Sequence, residues 1–387
     1  MHDDAEPDNT FPDHTMLQVS RPSKVADFDA DLYEHALVVT QGHRVGRRIP
    51  LGAAPITIGR RPECSVSVID PEVSGRHCEV SLKPLAPDAI VVDLKSTNGT
   101  FVNGERAFGT ARLPVGAVLQ VGGQLYRHEQ RLRSEVAQAQ VLDRDLEKAS
   151  QYVQALLPEP IREGPVLTEW LYLPSAQLGG DALGHHQLDA DCFAAFVIDV
   201  SGHGASAAMH SVSVMNVLRQ RALPDTDFRD PAQVLRGLNA MFQMESHGGM
   251  FFTIWYGVLD RRDWTLHYAS AGHHPSFVWS PDGAPLQALQ TPNLVIGAMD
   301  DVSFDAAHAQ LRPGQKLYIF SDGVFEIVTR EGQTWGLPDF LPLLGQPRGS
   351  AHDAGMSEPE HLFKVVQGLA QPGPLDDDFS LVVAEIL

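Results

Sequence analysis

The chain is short of basic residues, cysteines and long apolar runs, and each shortage removes a class of function. Lysine and arginine number 29 against 49 aspartates and glutamates, giving a net charge of −20 over 387 residues. Phosphate backbones and anionic lipid surfaces both call for basic patches, so nucleic-acid binding and docking on a membrane are excluded as the main role. A local basic pocket is not. No apolar run approaches the roughly 20 residues needed to span a bilayer. The opening MHDDAEPDNTFPDHT has neither a basic n-region nor an apolar h-region, which reads as no signal peptide. Three cysteines, Cys64, Cys78 and Cys192, lack CxxC spacing and are expected to be buried free thiols in a reducing compartment. A cytoplasmic protein is expected.

The length predicts two domains. Residues 1–34 are polar, acidic and proline-containing and predict a disordered tail. Over 35–127, short alternating runs such as ALVVT, PITIGR, SVSVID, HCEVSL, AIVVDL and AVLQVGG are split by turn residues, the pattern of an all-β sandwich. Composition then changes. From Glu129 to Leu157 there is neither glycine nor proline, and Leu132, Val136, Ala139, Leu142, Leu146, Ala149, Val153 and Leu156 recur in steps of three and four. A helical linker over 128–157 follows, as one amphipathic helix lying on a domain or as a two-stranded coiled coil making a homodimer. Pro158 ends it. From 158 to 387, strands alternate with helical stretches at Ser206–Arg221, Pro231–Glu245 and Glu358–Leu369, an α+β domain.

What is present in that last segment is a set of misplaced carboxylates. The run CFAAFVIDVSGHG reads as a core strand, yet Asp199 sits at its end. KLYIFSDG ends on Asp322 and QLGGD presents Asp181, while PLDDDFSLVV puts Asp376, Asp377 and Asp378 before the last strand. One carboxylate at a strand end needs no explanation; several beside glycines suggest a shared task. Crowded carboxylates repel, and hard divalent cations relieve that repulsion. The patterning is compatible both with an oxygen-rich metal site and with unconnected solvated strand ends.

The blocks LPSAQLGGD, VIDVSGHGASAAM, FFTIWYGVLD, SAGHHPSFVW, LRPGQKLYIFSDGVFE and DDDFSLVV resemble, in order and rough spacing, those of the SpoIIE/RsbU-type metal-dependent serine/threonine protein phosphatases (PPM). The resemblance implies two antiparallel sheets flanked by helices, with two Mn²⁺ or Mg²⁺ ions at one edge. Asp199 would bridge them, with Asp181, Asp322 and Asp377 as partners and the Val200 or Ser201 carbonyl as a further ligand. Asp378 is a weaker candidate. Such ions, about 3.5–4 Å apart, activate water for in-line attack on phosphorus. The leaving alkoxide takes a proton from a metal-bound water or from His203, unless His203 only braces its turn. Gly184 stands where the family's block often ends in a second acid, so no outer-shell ligand is expected there. His274 replaces a common asparagine and is read as a substrate-lip variation. His185 and His186 are read as solvated loop histidines, and Ser380, in place of threonine, as neutral.

The earlier segment GRRPECSVSVIDPEVSGRHCEVSL…DLKSTNGTFVNGERA gathers Arg60, Ser74, Thr97 and Asn98 on turns, which reads either as a phosphate-ester grip or as ordinary turn chemistry. It resembles a forkhead-associated (FHA) domain through its GR, SxxH and STNGTxVNG signatures. The resemblance implies an 11-strand sandwich reading phosphothreonine, with Arg60 and Ser74 on the phosphate and Thr97 and Asn98 in support. Arg76 or Arg61 would help from the rim, and His77 and Asn103 would be structural.

Two functions remain open. One is a protein phosphatase recruited or regulated through its FHA domain, acting on a phosphorylated STAS-type anti-sigma-factor antagonist, with the phosphothreonine on a serine/threonine kinase or scaffold. The other is a catalytically inactive phosphatase fold that scaffolds phosphoproteins.

Overall fold

The structure, a computed structural model, describes residues 32–42, 44–83, 87–202, 204–346 and 355–387. The expected acidic tail lies outside the described residues up to position 31, as does His203. The chain divides into two units between Leu142 and Asp143.

In the first unit, eleven strands form a six-stranded and a five-stranded sheet. Their inner faces meet at Leu37, Ile58, Val80, Val91, Leu119 and Tyr126, all buried. Alternation does the work locally: Cys78–Leu82 buries Cys78 and Val80 and leaves Glu79 between them half-exposed. The long pair Tyr33–Gln41 and Gln124–Leu132 runs antiparallel from Tyr33 opposite Leu132 to Val39 opposite Tyr126.

That ladder corrects two expected boundaries. Tyr33 and Glu34 belong to the sandwich rather than to a tail, and residues 128–132 are strand rather than helix. Freedom from glycine and proline permits a helix, but here the backbone of 128–132 finds its partners across the ladder instead. The helix is Arg133–Leu156, and none of its residues is buried. His128 Nδ1 donates to the Leu113 carbonyl at 2.8 Å, and His128 Nε2 lies 3.0 Å from His35 Nδ1, a contact that places one proton between the two rings.

The second unit stacks two five-stranded antiparallel sheets. Between them lie Val197, Trp255, Leu266, Ile319 and Val382. The helices Ala205–Gln220 and Pro231–Met241 cover the outer face of one sheet through Met215, Leu218, Leu235 and Leu238. Glu358–Leu369 covers the other through Leu362 and Val366. Strand Cys192–Val200 is therefore buried on both faces, which is why it reads as an unbroken apolar run.

His185 and His186 are not loop residues. They lie in strand Ala182–Gln187, where burial holds both imidazoles down at about 4. The sequence HHQ carries no β-branched signal; pairing with Phe193–Ala195 makes it a strand.

Burial, and then the charge of His128, hold His35 below its ordinary value. The unfolded chain binds that proton more readily, so the stabilisation is complete above about pH 6.5 and is lost as pH falls below it. Hydrogen exchange in Tyr33–Gln41, corrected for intrinsic rate, is expected to accelerate between about pH 7.5 and about pH 5.5. Unchanged protection would show that the pair tolerates a proton.

Candidate active site and phosphopeptide site

Five aspartates lie along one edge of the second unit because each sits where a strand begins or ends. Asp181 precedes Ala182–Gln187, and Ala182 pairs with Ile198, which brings Asp181 beside Asp199. Asp322 opens the single turn that follows Lys316–Phe320. Asp377 and Asp378 immediately precede Phe379–Ile386, which pairs with Lys316–Phe320.

The electrostatics of this edge are unfavourable as the residues stand. Burial pushes the Asp199 carboxyl up to about 7, and Asp322, Asp377, Asp378 and Glu326 add to it by like charge. Asp181 is raised well above its ordinary range by burial, then by Asp199 and Asp378. Asp322 is raised by burial and by Glu326. Among the described residues, no lysine or arginine pairs with Asp181, Asp199 or Asp322. Asp181 Oδ2 is buried without a hydrogen-bond partner. An all-oxygen, negatively charged donor set with an orphaned buried oxygen suits hard divalent cations. No three His, Cys, Asp or Glu side chains among the described residues are gathered closely enough to hold an ion as they stand. Mutual repulsion opposes such a gathering until a cation lies between them.

Asp378 has a different place from its neighbours. Its Oδ1 accepts from the Ser175 amide at 2.7 Å and the Ser175 hydroxyl at 2.9 Å, and its Oδ2 accepts from the Asp181 amide at 3.2 Å. It ties the loop of Asp181 to the final strand. Two glycines permit this approach: a Cβ at Gly179 would lie 2.3 Å from Asp378 Oδ2, and one at Gly323 would lie 2.3 Å from the Asp378 carbonyl. A Cβ at Gly180 would lie 2.9 Å from the Val200 carbonyl, which therefore faces the start of Asp181.

One sequence expectation changes here, that of His274, and Gly184 gains a steric reason. Gly184 lacks an acid because the Phe196 ring lies over it; a Cβ there would stand 2.4 Å from Phe196 Cζ. His274 is not on a lip: its ring lies 5.0 Å from those of Phe320 and Phe325, within the hydrophobic packing beneath the site. Ser380 is fully buried at the start of the last strand, where its amide donates to Ser321 Oγ at 3.2 Å. Sequence reading also passed over Glu326. Its signal was the acid four residues after Asp322, in a stretch that returns through the Glu326 amide to the Asp322 carbonyl.

In the first unit, the loops bearing Arg60, Ser74, Thr97 and Asn98 converge. The Arg60 amide donates to the Ser74 carbonyl at 2.9 Å, and the Thr97 amide donates to Ser74 Oγ at 3.0 Å. Asn98 Nδ2 donates to the Glu72 carbonyl at 2.9 Å. Fully buried His77 accepts from the Ser74 amide through Nδ1 and donates to the Gly99 carbonyl through Nε2, so it joins two loops. Asn103 Oδ1 similarly accepts from the Val118 amide. Arg60, Thr97 and Asn98 are exposed, while Arg76 is paired to Glu79 at 2.9 Å.

Two stacked antiparallel sheets with flanking helices and an acidic edge, joined to a sandwich with these loops, define a PPM-type protein phosphatase carrying an FHA domain. Residues 189–387 match the family model of Stage II sporulation protein E (SpoIIE), and the chain belongs to that family; residues 56–122 match the FHA domain. The chain is 28% identical over 263 residues to Phosphoserine phosphatase RsbU of Bacillus subtilis, covering 67% of this chain and 75% of that protein. It is 29% identical over 187 residues to Phosphoserine phosphatase RsbP of the same organism, covering 47% of this chain and 45% of that protein. Against the FHA domain-containing protein FhaB of Mycolicibacterium smegmatis it is 37% identical over 86 residues, 22% of this chain and 54% of that protein. The SiaA PP2C domain of Pseudomonas aeruginosa superposes with a TM-score of 0.54 at 22% identity, covering 66% of this chain and all of that one, a likeness of fold.

If cations relieve this edge, Mn²⁺ at about 100 times its dissociation constant stabilises the fold by about 2.7 kcal/mol. Asp199→Asn is expected to raise the melting temperature of the metal-free protein and to abolish most of the rise caused by Mn²⁺. A variant that responds to Mn²⁺ like the wild type would remove Asp199 from the site.

Proposed function

We propose that the chain is a divalent-metal-dependent phosphoserine/phosphothreonine protein phosphatase whose FHA domain recruits or regulates it through a phosphothreonine partner. The observation that carries this reading is the burial of Asp181 and Asp199 against one another at the shared edge of two sheets, with no lysine or arginine among the described residues paired to either. Asp199, Asp181, Asp322, Asp377 and the Val200 carbonyl would hold two Mn²⁺ or Mg²⁺ ions. Bound there, the ions supply an acidified water nucleophile and charge neutralisation for the phosphoryl group. The chain's own residues do the rest. Asp378 fixes the loop of Asp181 against the last strand, and Phe320 and Phe325 pack beneath the acids. His203 is the candidate proton donor to the departing alkoxide.

The substrate class that suits a SpoIIE/RsbU-type enzyme is a phosphorylated STAS-type antagonist, and a serine/threonine kinase or its scaffold is the natural source of the FHA ligand. Exposed Val141, Leu142 and Tyr152 on Arg133–Leu156 support pairing of two copies through that helix. No helix among the described residues is long and apolar enough to cross a membrane, and three buried free cysteines agree with a cytoplasmic enzyme.

Purified protein is expected to hydrolyse p-nitrophenyl phosphate and a phosphoserine protein with Mn²⁺, and Asp199→Asn to lose that activity by at least about 100-fold. Wild type as inert as the variant on both substrates would leave the scaffold reading in possession. Arg60→Ala is expected to weaken phosphothreonine-peptide binding by about tenfold or more, the loss of a charge-assisted hydrogen bond. Equal affinity in calorimetry would remove Arg60 from the pocket.

A further inference from the structure

The second unit contains a cavity that the acidic edge does not use. It measures about 320 Å³, near the lower end of the range for small-molecule sites, about 300–1,000 Å³. One wall is the end of the long helix, Leu156 and Leu157; the others are Gly184, Phe196, Met215 and Arg219. His186 also lines it.

Its chemistry is selective in three ways. The body of the wall is apolar, formed by Leu157, Phe196 and Met215. His186 Nε2 is buried there without a hydrogen-bond partner, whereas the neighbouring His185, on the opposite strand face, is satisfied by Thr168 Oγ1 at 3.1 Å. A buried polar atom left unpaired in a well-packed sheet calls for an explanation. At the mouth, exposed Arg219 reaches across to the Leu156 carbonyl at 3.1 Å, and Arg221 acts on His186 by charge. The influences on His186 are burial and Arg221, with no carboxylate among them. In a chain of net charge −20, a pocket lined by histidine and one guanidinium, that of Arg219, with no acid among its described lining residues, is a local departure from the overall sign.

We propose that this cavity binds a small carboxylate with an apolar body, its oxygens meeting His186 Nε2 and Arg219 and its body packing on Phe196, Met215 and Leu157. Gly184 shapes the floor, because the absent side chain lets the end of the Phe196 ring close on the strand. The ligand would join the end of the long helix to strand Ala182–Gln187, the strand that follows Asp181. This site stands independently of the phosphatase reading.

The test uses the full chain without added metal. Octanoate and phenylacetate, representing alkyl and aromatic acids, are titrated by calorimetry and thermal shift beside octan-1-ol and inorganic phosphate. At least one of the two acids is expected to bind with one site and at least tenfold tighter than octanol or phosphate. His186→Phe and the exposed, fold-neutral Arg219→Gln are each expected to weaken that acid at least tenfold while leaving octanol unchanged. The proposal fails if neither acid binds, if octanol or phosphate matches the better acid, or if Arg219→Gln binds it as the wild type does.

Discussion

Asp181 is a carboxylate that the fold has removed from water and set against Asp199 and Asp378. Left alone, that arrangement opposes folding, because each charge raises the cost of the next. The second unit is organised around containing this cost. Two sheets stack so that the ends of four strands share an edge, and glycines at 179 and 323 allow the last strand to come within contact of the Asp181 loop. Asp378 meets the backbone amide of Asp181, so one acid holds another in place by hydrogen bonding while repelling it by charge. Aromatic packing beneath, from Phe320, Phe325 and Phe340, leaves the edge little room to relax.

The first unit solves the opposite problem. Its binding loops must stay fixed while remaining in water, so the rigidity comes from below. His77 is buried and spans two loops, and Asn103 holds a third to the sheet. The exposed groups proposed to meet phosphothreonine, Arg60, Thr97 and Asn98, are thereby pre-set without losing their hydration.

Much of this was legible in the sequence, for definite reasons. Asp199 and Asp322 stood out because an acid at the end of an apolar strand breaks a strong pattern. The FHA loops stood out because their turn residues recur at fixed intervals. What was not legible depended on partners far along the chain. Nothing near Gly184 announces that Phe196 will cover it, and HHQ acquires its strand character only from pairing with Phe193–Ala195. The start of the linker helix was misplaced because Tyr33–Leu37, almost 100 residues earlier, claims residues 128–132. Asp378 looked like a spare acid until Ser175 was found on its carboxylate.

The bond from Ser175 to Asp378 joins residues 203 positions apart. Strand Phe379–Ile386 fills the gap between Val166–Leu173 and Lys316–Phe320, pairing with both. Until it arrives, those two strands each present an open edge, a template for wrong pairing with another chain. Assembly of the unit therefore has high contact order and closes late in synthesis. A ribosome must deliver nearly the whole domain before the acids meet. A chain lacking that strand leaves Val166–Leu173 and Lys316–Phe320 without their shared partner.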